Sequence, residues 1–308
     1  MLPLIIVNPS SAAGATGDAW PGIASELATH FGAFNCEFTK ERGDAVRYAR
    51  EGAQNGRQFV IACGGDGTIS EAANGILESG VDVELGILPS GTGGDFQKSI
   101  KVPKRLADAV TALRKGRTRR IDVGRVTYVN HDGDKESRFF LGVASFGMSG
   151  DVIRRVKEND SSWLGGKAAF AVAMLQTTIT KQNTTAVVQL DDHLERRLTV
   201  ANLCVANGRY FGGGMKIAPE AKLDDGKFDV VTLGDLSALK ILTNAHQLYL
   251  GTHLGMKQVQ NTLATRVSAR PFTSEEHVAI EVDGELPGFL PATFEMLPLA
   301  LRIRVPLT

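Results

Sequence analysis

Four short segments combine glycines, carboxylates and hydroxyls in patterns suited to phosphate chemistry. The richest is residues 63–76, Cys-Gly-Gly-Asp-Gly-Thr-Ile-Ser-Glu-Ala-Ala-Asn-Gly-Ile. Gly64, Gly65 and Gly67 surround Asp66 at the end of the apolar run 59–62, which reads as a buried parallel strand, and a helix pattern follows. Such a turn brings bare backbone N–H groups and the positive end of a helix dipole to one point, where phosphate can bind. Asp66 would repel that phosphate unless a metal ion or a positioned nucleophile stood between them. The combination therefore suggests nucleotide phosphoryl transfer over simple anion binding. An ordinary turn would need Gly64 and Gly67, with Asp66 as a turn residue. The extra glycine is better explained by backbone approaching a ligand.

Ser70, Glu71 and Asn74 continue along the predicted helix, with Ile69, Ala73, Ile76 and Leu77 as its buried stripe. A second glycine loop, Pro89-Ser90-Gly91-Thr92-Gly93-Gly94-Asp95-Phe96, follows another apolar run. Parallel neighbouring strands would set it beside the first as a two-sided nucleotide clamp. The loop Asn8-Pro9-Ser10-Ser11, taken alone, reads as a strand-to-helix connection with Ser10 or Ser11 as the helix cap. Far downstream stands Glu281-Val282-Asp283-Gly284-Glu285. Alternation turns Val278, Ile280 and Val282 inward and Glu281 and Asp283 outward. Asp-Gly is also common in surface hairpins, so this segment reads either as such a turn or as carboxylates that hold Mg²⁺ and accept a proton.

The elements that must position these residues fall into two groups. Up to residue 123, the runs 4–7, 36–39, 59–63, 85–88 and 121–123 alternate with helix-period stretches such as 19–31 and 44–55. Strand-helix alternation of this kind predicts an open parallel sheet covered on both faces, with ligands beyond the C-terminal strand ends. From 124 onward, the runs 126–129, 139–144, 186–190, 198–205, 228–233, 278–282 and 301–305 predict an antiparallel β-sandwich. Two helices, 167–181 and 236–252, interrupt it. The expected organisation is an α/β domain over 1–123 and a β-sandwich over 124–294, with the final strand at about 295–308 returning to the first domain.

The chain has 308 residues, 43% hydrophobic and 22% charged, so it is globular and long enough for two cores. Its formal net charge of zero removes bulk electrostatics as a ground for nucleic-acid binding. Cys36, Cys63 and Cys204 match neither a disulfide framework nor a zinc spacing and read as buried small hydrophobes in a cytoplasmic protein. No signal peptide or membrane-spanning stretch is evident. The six histidines show no ligand spacing. Walker A, Gly-x-Ser-x-Gly and dinucleotide fingerprints are absent.

Asn8-Pro9-Ser10, Gly64-Gly65-Asp66-Gly67-Thr68 with Glu71 and Asn74-Gly75, and Pro89-Ser90-Gly91-Thr92 with Asp95-Phe96 resemble the diacylglycerol kinase catalytic domain. That family includes the sphingosine and ceramide kinases and the bacterial soluble lipid kinases. The resemblance continues through residues 206–215, Ala218-Pro219, Ala221 and Asp225-Gly226 to Asp283-Gly284-Glu285, so it spans nearly the whole chain. It implies a phosphofructokinase- or NAD-kinase-like nucleotide domain followed by a lipid-binding β-sandwich. It also implies ATP contacts from Thr39, Gly64, Gly65, Asp66, Gly67, Thr68, Ile69, Ser70 and Thr92, with Asn8, Glu71, Ser90, Gly91 and Asp95 in the same motifs. Glu285 matches the family's proton acceptor, and Asp283 is the alternative base. Asp66 and Asp283 are the expected holders of a catalytic Mg²⁺. A second Mg²⁺ would use Asp225 and the carbonyls of Lys222 and Lys227. One departure is Gly94, where many members carry Asn, and it bears on nucleotide binding.

The resemblance thus implies phosphoryl transfer from ATP to a lipid hydroxyl, with diacylglycerol as the first expectation. The glycine loops would donate N–H groups and a carboxylate would take the alcohol proton. The alternatives are an NAD-kinase-like small-molecule kinase and a non-catalytic lipid- or nucleotide-binding protein of the same fold. Residues 98–120 hold Lys98, Lys101, Lys104, Arg105, Arg114, Lys115, Arg117, Arg119 and Arg120 against one acid, Asp108. This run reads as a solvated face or as a dock for an anionic leaflet, with Trp163-Leu164 as a packing pair or an insertion wedge. Peripheral contact with a membrane and, from the family, a homodimer are the expected associations.

Overall fold

The computed structural model describes residues 2–91, 93–158, 172–173, 176–178 and 183–307. Two compact units result, one of Met1–Asp122 with Leu299–Thr308, the other of Val123–Pro298. The expected contact residue Thr92, the pair Trp163-Leu164 and most of the expected helix 167–181 lie outside the described residues.

In the first unit, β1 (Leu4–Val7), β2 (Asn35–Phe38), β3 (Phe59–Gly64) and β4 (Glu84–Pro89) pair in parallel in the order β2-β1-β3-β4. β1, β3 and β4 are buried almost throughout, as strands covered on both faces must be. Helices α1 (Ala15–Phe31), α2 (Asp44–Gln54), α3 (Asp66–Ser79), α4 (Asp95–Ser99) and α5 (Leu106–Lys115) complete the layers. α3 tolerates a mid-helix glycine because α2 presses on it: a Cβ on Gly75 would sit 2.2 Å from the Val46 carbonyl oxygen.

The end of β15 (Glu285–Val305) runs parallel to β4, with Arg302 opposite Glu84 and Ile303 opposite Leu85. Leu301, Ile303 and Val305 are buried there while Arg302 and Arg304 reach outward, the period of a strand. At Leu299 (φ 51) the strand bends, and its N–H donates to the fully buried Asp122 carboxylate at 2.7 Å.

The second unit is antiparallel. β12 (Val259–Ala264), β11 (Phe228–Leu233), β10 (Asn202–Ala206), β7 (Val143–Gly147), β14 (Ala279–Val282) and β15 follow one another in a ladder. β13 (Arg266–Pro271) joins β15 to β8 (Thr184–Leu190), which pairs with β9 (Arg196–Val200). β5 (Arg117–Asn130) pairs with β15 and β6 (Lys135–Phe140). Between the layers lies a core in which Phe140 stacks on Phe228 at 5.6 Å and meets Phe294 edge-on. A second apolar cluster, with Cys204, Val231 and Leu248, covers the other face of the β7–β10–β11 region. The central strands of this sandwich are therefore buried on both faces. α6 (Met148–Glu158), α7 (Ala238–Leu250) and a short turn at His253–Gly255 lie outside the ladder.

The expected runs 139–144 and 198–205 each contain two strands, broken at 141–142 and at 201 where the chain changes partner. Cys36 is exposed on the edge strand β2, not buried like Cys63 and Cys204. Among the described residues no helix is long and apolar enough to cross a membrane.

Candidate active site

The register of β3 with β4 sets Gly64 opposite Pro89, so the loops that leave these strands start side by side. Their backbones touch: a Cβ on Gly91 would lie 2.6 Å from the Gly65 Cα, and one on Gly93 would lie 2.7 Å from Asp66 Oδ2. The Ser90 N–H donates to the Gly64 carbonyl at 2.9 Å. The loop after β1 joins them, with Asn8 Nδ2 donating to Thr68 Oγ1 at 3.0 Å and Ser11 Oγ to the Ser90 carbonyl at 2.9 Å. Thr16 Oγ1 lies 2.5 Å from both the Ser11 and the Ser90 hydroxyls. Neither Ser10 nor Ser11 caps α1; the residue before that helix is Gly14, in a left-handed conformation, and the Ser11 hydroxyl is committed to the neighbouring loop. Loop against loop thus explains Gly91 and Gly93 without a ligand, and Gly64 is explained by Thr68 of its own segment, whose Oγ1 lies 2.5 Å from where a Cβ would stand.

Gly67 is different. It stands exposed in the first turn of α3, and nothing lies within 4 Å of the place its Cβ would occupy. Gly65 precedes the helix and no side chain caps it, and an uncapped helix start offers its first N–H groups to water or a ligand.

Asp66 ties its own loop to the second one. Its two carboxylate oxygens accept the N–H groups of Asp95 and Phe96, each at 3.3 Å, and so close the start of α4. Burial, and then the Asp95 charge, push its carboxyl up, against the pull of these N–H bonds. Lys98 Nζ offsets the Asp95 charge at 2.7 Å. Glu71 accepts the Gly43 N–H at 3.2 Å, which steadies the loop opened by half-buried Thr39. In the same loop, the N–H groups of Lys40 and Glu41 and the Arg47 guanidinium hold the Asp44 carboxyl down to about 2. Ile69 and Ser70 are buried within α3.

In the second unit, Asp283 and Gly284 form a two-residue hairpin turn with φ of 48 and 85, both left-handed, as Asp-Gly favours. It is not a loose surface turn. Asp283 Oδ1 accepts the N–H groups of Gly142 and Val143 at 2.9 and 3.2 Å, and Oδ2 accepts that of Leu141 at 2.9 Å. Three of the roughly four acceptor positions of a carboxylate are thereby occupied. Glu285 opens β15 half-buried.

Glu281, expected to face outward, is only 4% exposed. The alternation is as expected, but this strand has a second core on its other face. There Glu281 stands opposite Ser145, and Ser145 opposite Cys204. Burial drives the Glu281 carboxyl up to about 7. Lys222, Asp225 and Lys227 lie exposed in one turn, where Asp225 Oδ1 accepts the Lys227 N–H at 3.2 Å. Among the described residues no three or more His, Cys, Asp or Glu side chains form a metal-holding group.

Two family models match in chain order: the diacylglycerol kinase catalytic domain over residues 3–126, and the YegS C-terminal NAD kinase beta sandwich-like domain over residues 142–305. The chain belongs to the YegS-like lipid kinase family. A relative in Klebsiella pneumoniae (strain 342), named "Probable lipid kinase YegS-like", is 31% identical over 270 residues, 87% of this chain and 84% of that one. One of the same name in Pectobacterium atrosepticum is 29% identical over 307 residues, 99% of this chain and 96% of the relative. A solved structure from Bacillus anthracis str. Sterne aligns with a TM-score of 0.78 at 25% identity, covering 99% of this chain and 97% of that one. Another from the same organism, described as a diacylglycerol kinase, has a TM-score of 0.71 at 22% identity over 99% and 96% of the two chains, and shows the fold alone.

As a YegS-like kinase, the protein is a lipid kinase with an N-terminal α/β domain and a C-terminal β-sandwich. Membership of a kinase family implies ATP use. Gly94, the departure from the family's usual Asn, has φ 64 and ψ 39 at the start of α4. Glycine and asparagine are the residues that enter this left-handed region most readily, so the loop keeps its course without the amide. Sequence reasoning reads Ser11 as a helix cap and gives no role to Thr16 or Ser145. Hydroxyls of this kind carry no local signal, because their partners lie far away along the chain.

Proposed function

We propose that the protein transfers the γ-phosphate of ATP to the hydroxyl of a membrane lipid, with diacylglycerol as acceptor and phosphatidic acid as product. The observation that carries this reading is the open position at Gly67, beside three interlocked loops and an uncapped helix start. Phosphate oxygens approaching there would meet backbone N–H groups and the helix dipole, with no side chain in the way. Catalysis of phosphoryl transfer is mostly positioning and charge stabilisation, which such a rigid backbone cradle suits.

Glu285 is the proposed base for the acceptor hydroxyl. Asp283, with its oxygens engaged by three backbone N–H groups, serves to anchor the turn. Mg²⁺ would supply charge neutralisation on the ATP phosphates. The hard oxygens of Asp66 and Asp95 suit it, because Mg²⁺ is commonly held by one or two carboxylates and completed by phosphate and water. The exposed Asp225 turn, with the carbonyls of Lys222 and Lys227, is the proposed second site. Exposed Lys101, Lys104, Lys115 and Arg117 are proposed to favour an anionic leaflet and bring the enzyme to its acceptor.

The test is incubation with radiolabelled ATP, Mg²⁺ and a panel of lipid alcohols in mixed micelles. Label is expected in phosphatidic acid and is expected to fall about 100-fold or more in Glu285→Gln. No labelled lipid from any acceptor, or full turnover by Glu285→Gln, would overturn the corresponding part of the reading.

A further inference from the structure

Glu281 is a buried acid in β14 with a specific set of partners. Its Oε1 accepts the Gly284 N–H at 2.6 Å, and its Oε2 lies 2.5 Å from Ser145 Oγ. Ser145 Oγ is 2.8 Å from Ser149 Oγ. The single Ser145 proton serves one of these neighbours, so either the carboxyl or Ser149 supplies the other. Behind them, the Ser149 N–H donates to Asn202 Oδ1 at 3.0 Å. The cluster thus runs from the start of α6 across β7 and β14 to the Asp-Gly turn.

A buried acid is a poor choice for stability alone; a packed apolar side chain of similar size is often at least as good. What the carboxyl provides here is an acceptor under the second residue of the turn. The first residue is already fixed, since the Asp283 side chain takes three N–H groups and its own N–H donates to the Val143 carbonyl at 3.0 Å. Gly284, with φ 85 and no side chain, has no comparable hold except through its N–H, and it directly precedes Glu285.

We propose that Glu281 is a positioning residue for Glu285: by holding the Gly284 N–H, it sets the direction in which Glu285 leaves the turn. The inference rests on the reading of Glu285 as the base. Displacing a reacting group by about 1 Å can reduce turnover by about 100-fold, so the hold matters to catalysis even though Glu281 need not touch substrate.

The experiment compares Glu281→Gln, Glu281→Leu and Glu281→Asp in the full chain, with ATP and the lipid acceptor in mixed micelles. Gln keeps a carbonyl for Gly284 and an amide for Ser145. Leu fills the space without an acceptor, and Asp withdraws the carboxyl by one methylene. The expected result is that Gln stays within about threefold of the parent kcat, while Leu and Asp lose about tenfold or more at unchanged KM for ATP. In a Glu285→Gln background, Glu281→Leu is expected to cause no further loss, because the two act as one unit.

Parent-level kcat in either the Leu or the Asp variant, once folded, overturns the proposal, so it stands testable even where one of them fails to fold. A Gln variant as slow as Leu, or additive losses in the double variant, overturns it as well. Failure of the underlying reading looks different: Glu285→Gln alone would then turn over normally. An inactive Glu285→Gln beside an unimpaired Glu281→Leu would sink the positioning role alone.

Discussion

Arg304 grips Glu84 with two prongs, its Nε 2.6 Å from Oε1 and its Nη2 2.8 Å from Oε2, and the guanidinium also lies over the Phe59 ring at 5.0 Å. Thr118 Oγ1 adds a third bond to the same carboxylate at 2.7 Å. Glu84 opens β4 and Arg304 stands near the end of β15, so the pair clamps the two strands at their join. Arg304→Met would leave a buried charge with weaker partners, and we expect urea unfolding at neutral pH to show a loss of about 3 kcal/mol. Burial alone would raise the Glu84 carboxyl, but the bonds from Arg304 and Thr118 outweigh it and hold it low. A lowered folded pKa contributes stability above the unfolded carboxylate range and loses it as pH falls through the folded value. The gap between parent and variant should therefore narrow in acid.

Gly67 and Gly91 should respond to alanine in opposite ways. At Gly67 the added methyl meets open space in a helical backbone, so Gly67→Ala should fold normally and gain up to about 1 kcal/mol from helix propensity. It should nevertheless raise KM for ATP, by about tenfold if backbone there approaches phosphate. At Gly91 the methyl would lie 2.6 Å from the Gly65 Cα, so the loops must separate and thermal stability and activity should fall together. An unchanged KM for ATP in Gly67→Ala would remove the open position as support for nucleotide binding.

Glu281 gives a pH dependence whose sign follows from its raised pKa. Its carboxyl sits at about 7 in the folded chain against 4.5 as the ordinary value, pushed mainly by burial, aided by Asp283 and opposed by Ser145, Gly284 and Arg138. Buried Cys204 also faces it. Between these two values the folded state holds a proton that the unfolded state has released, so stability declines as pH rises toward 7 and levels off above. The loss is of the order of 3 kcal/mol. Glu281→Gln should flatten this slope: chemical denaturation at pH 5 and pH 8 should give closer stabilities in the variant than in the parent.

The basic face can be tested apart from chemistry. Lys98 is tied to Asp95 and Arg120 to Asp82, leaving Lys101, Lys104, Lys115 and Arg117 as the better candidates for lipid contact. Changing these four to Glu should weaken sedimentation with vesicles containing phosphatidylserine, most clearly at low salt, while turnover on a soluble short-chain acceptor stays near the parent value. Unchanged sedimentation would dismiss the patch.

The sequence carried the architecture where the signals were local. Glycine loops directly after apolar runs marked the ends of β3 and β4, and the alternation of Leu301, Ile303 and Val305 with two arginines marked the last strand. Polar strands were harder. Val259–Ala264 has four exposed residues in a row, and β13 has no run of apolar residues, so both escaped notice. Alternation places Glu281 on the face opposite Ile280, but it tells two faces apart without saying that both are covered. The role of Asp283 was hidden for another reason: its partners are the N–H groups of Leu141, Gly142 and Val143, and backbone donors leave no trace in residue identity.

Because the end of β15 lies along β4, a ribosome must read through all of Val123–Pro298 before the first unit can receive its outermost strand. Until then the flank of β4 presents a bare row of N–H and C=O groups, the kind of border that invites pairing with another nascent chain. A fragment cut after Asp122 would carry the same raw border permanently. A shortened kinase meant for nucleotide-binding work therefore needs residues 299–308 supplied again, either grafted through a linker or added as a separate peptide.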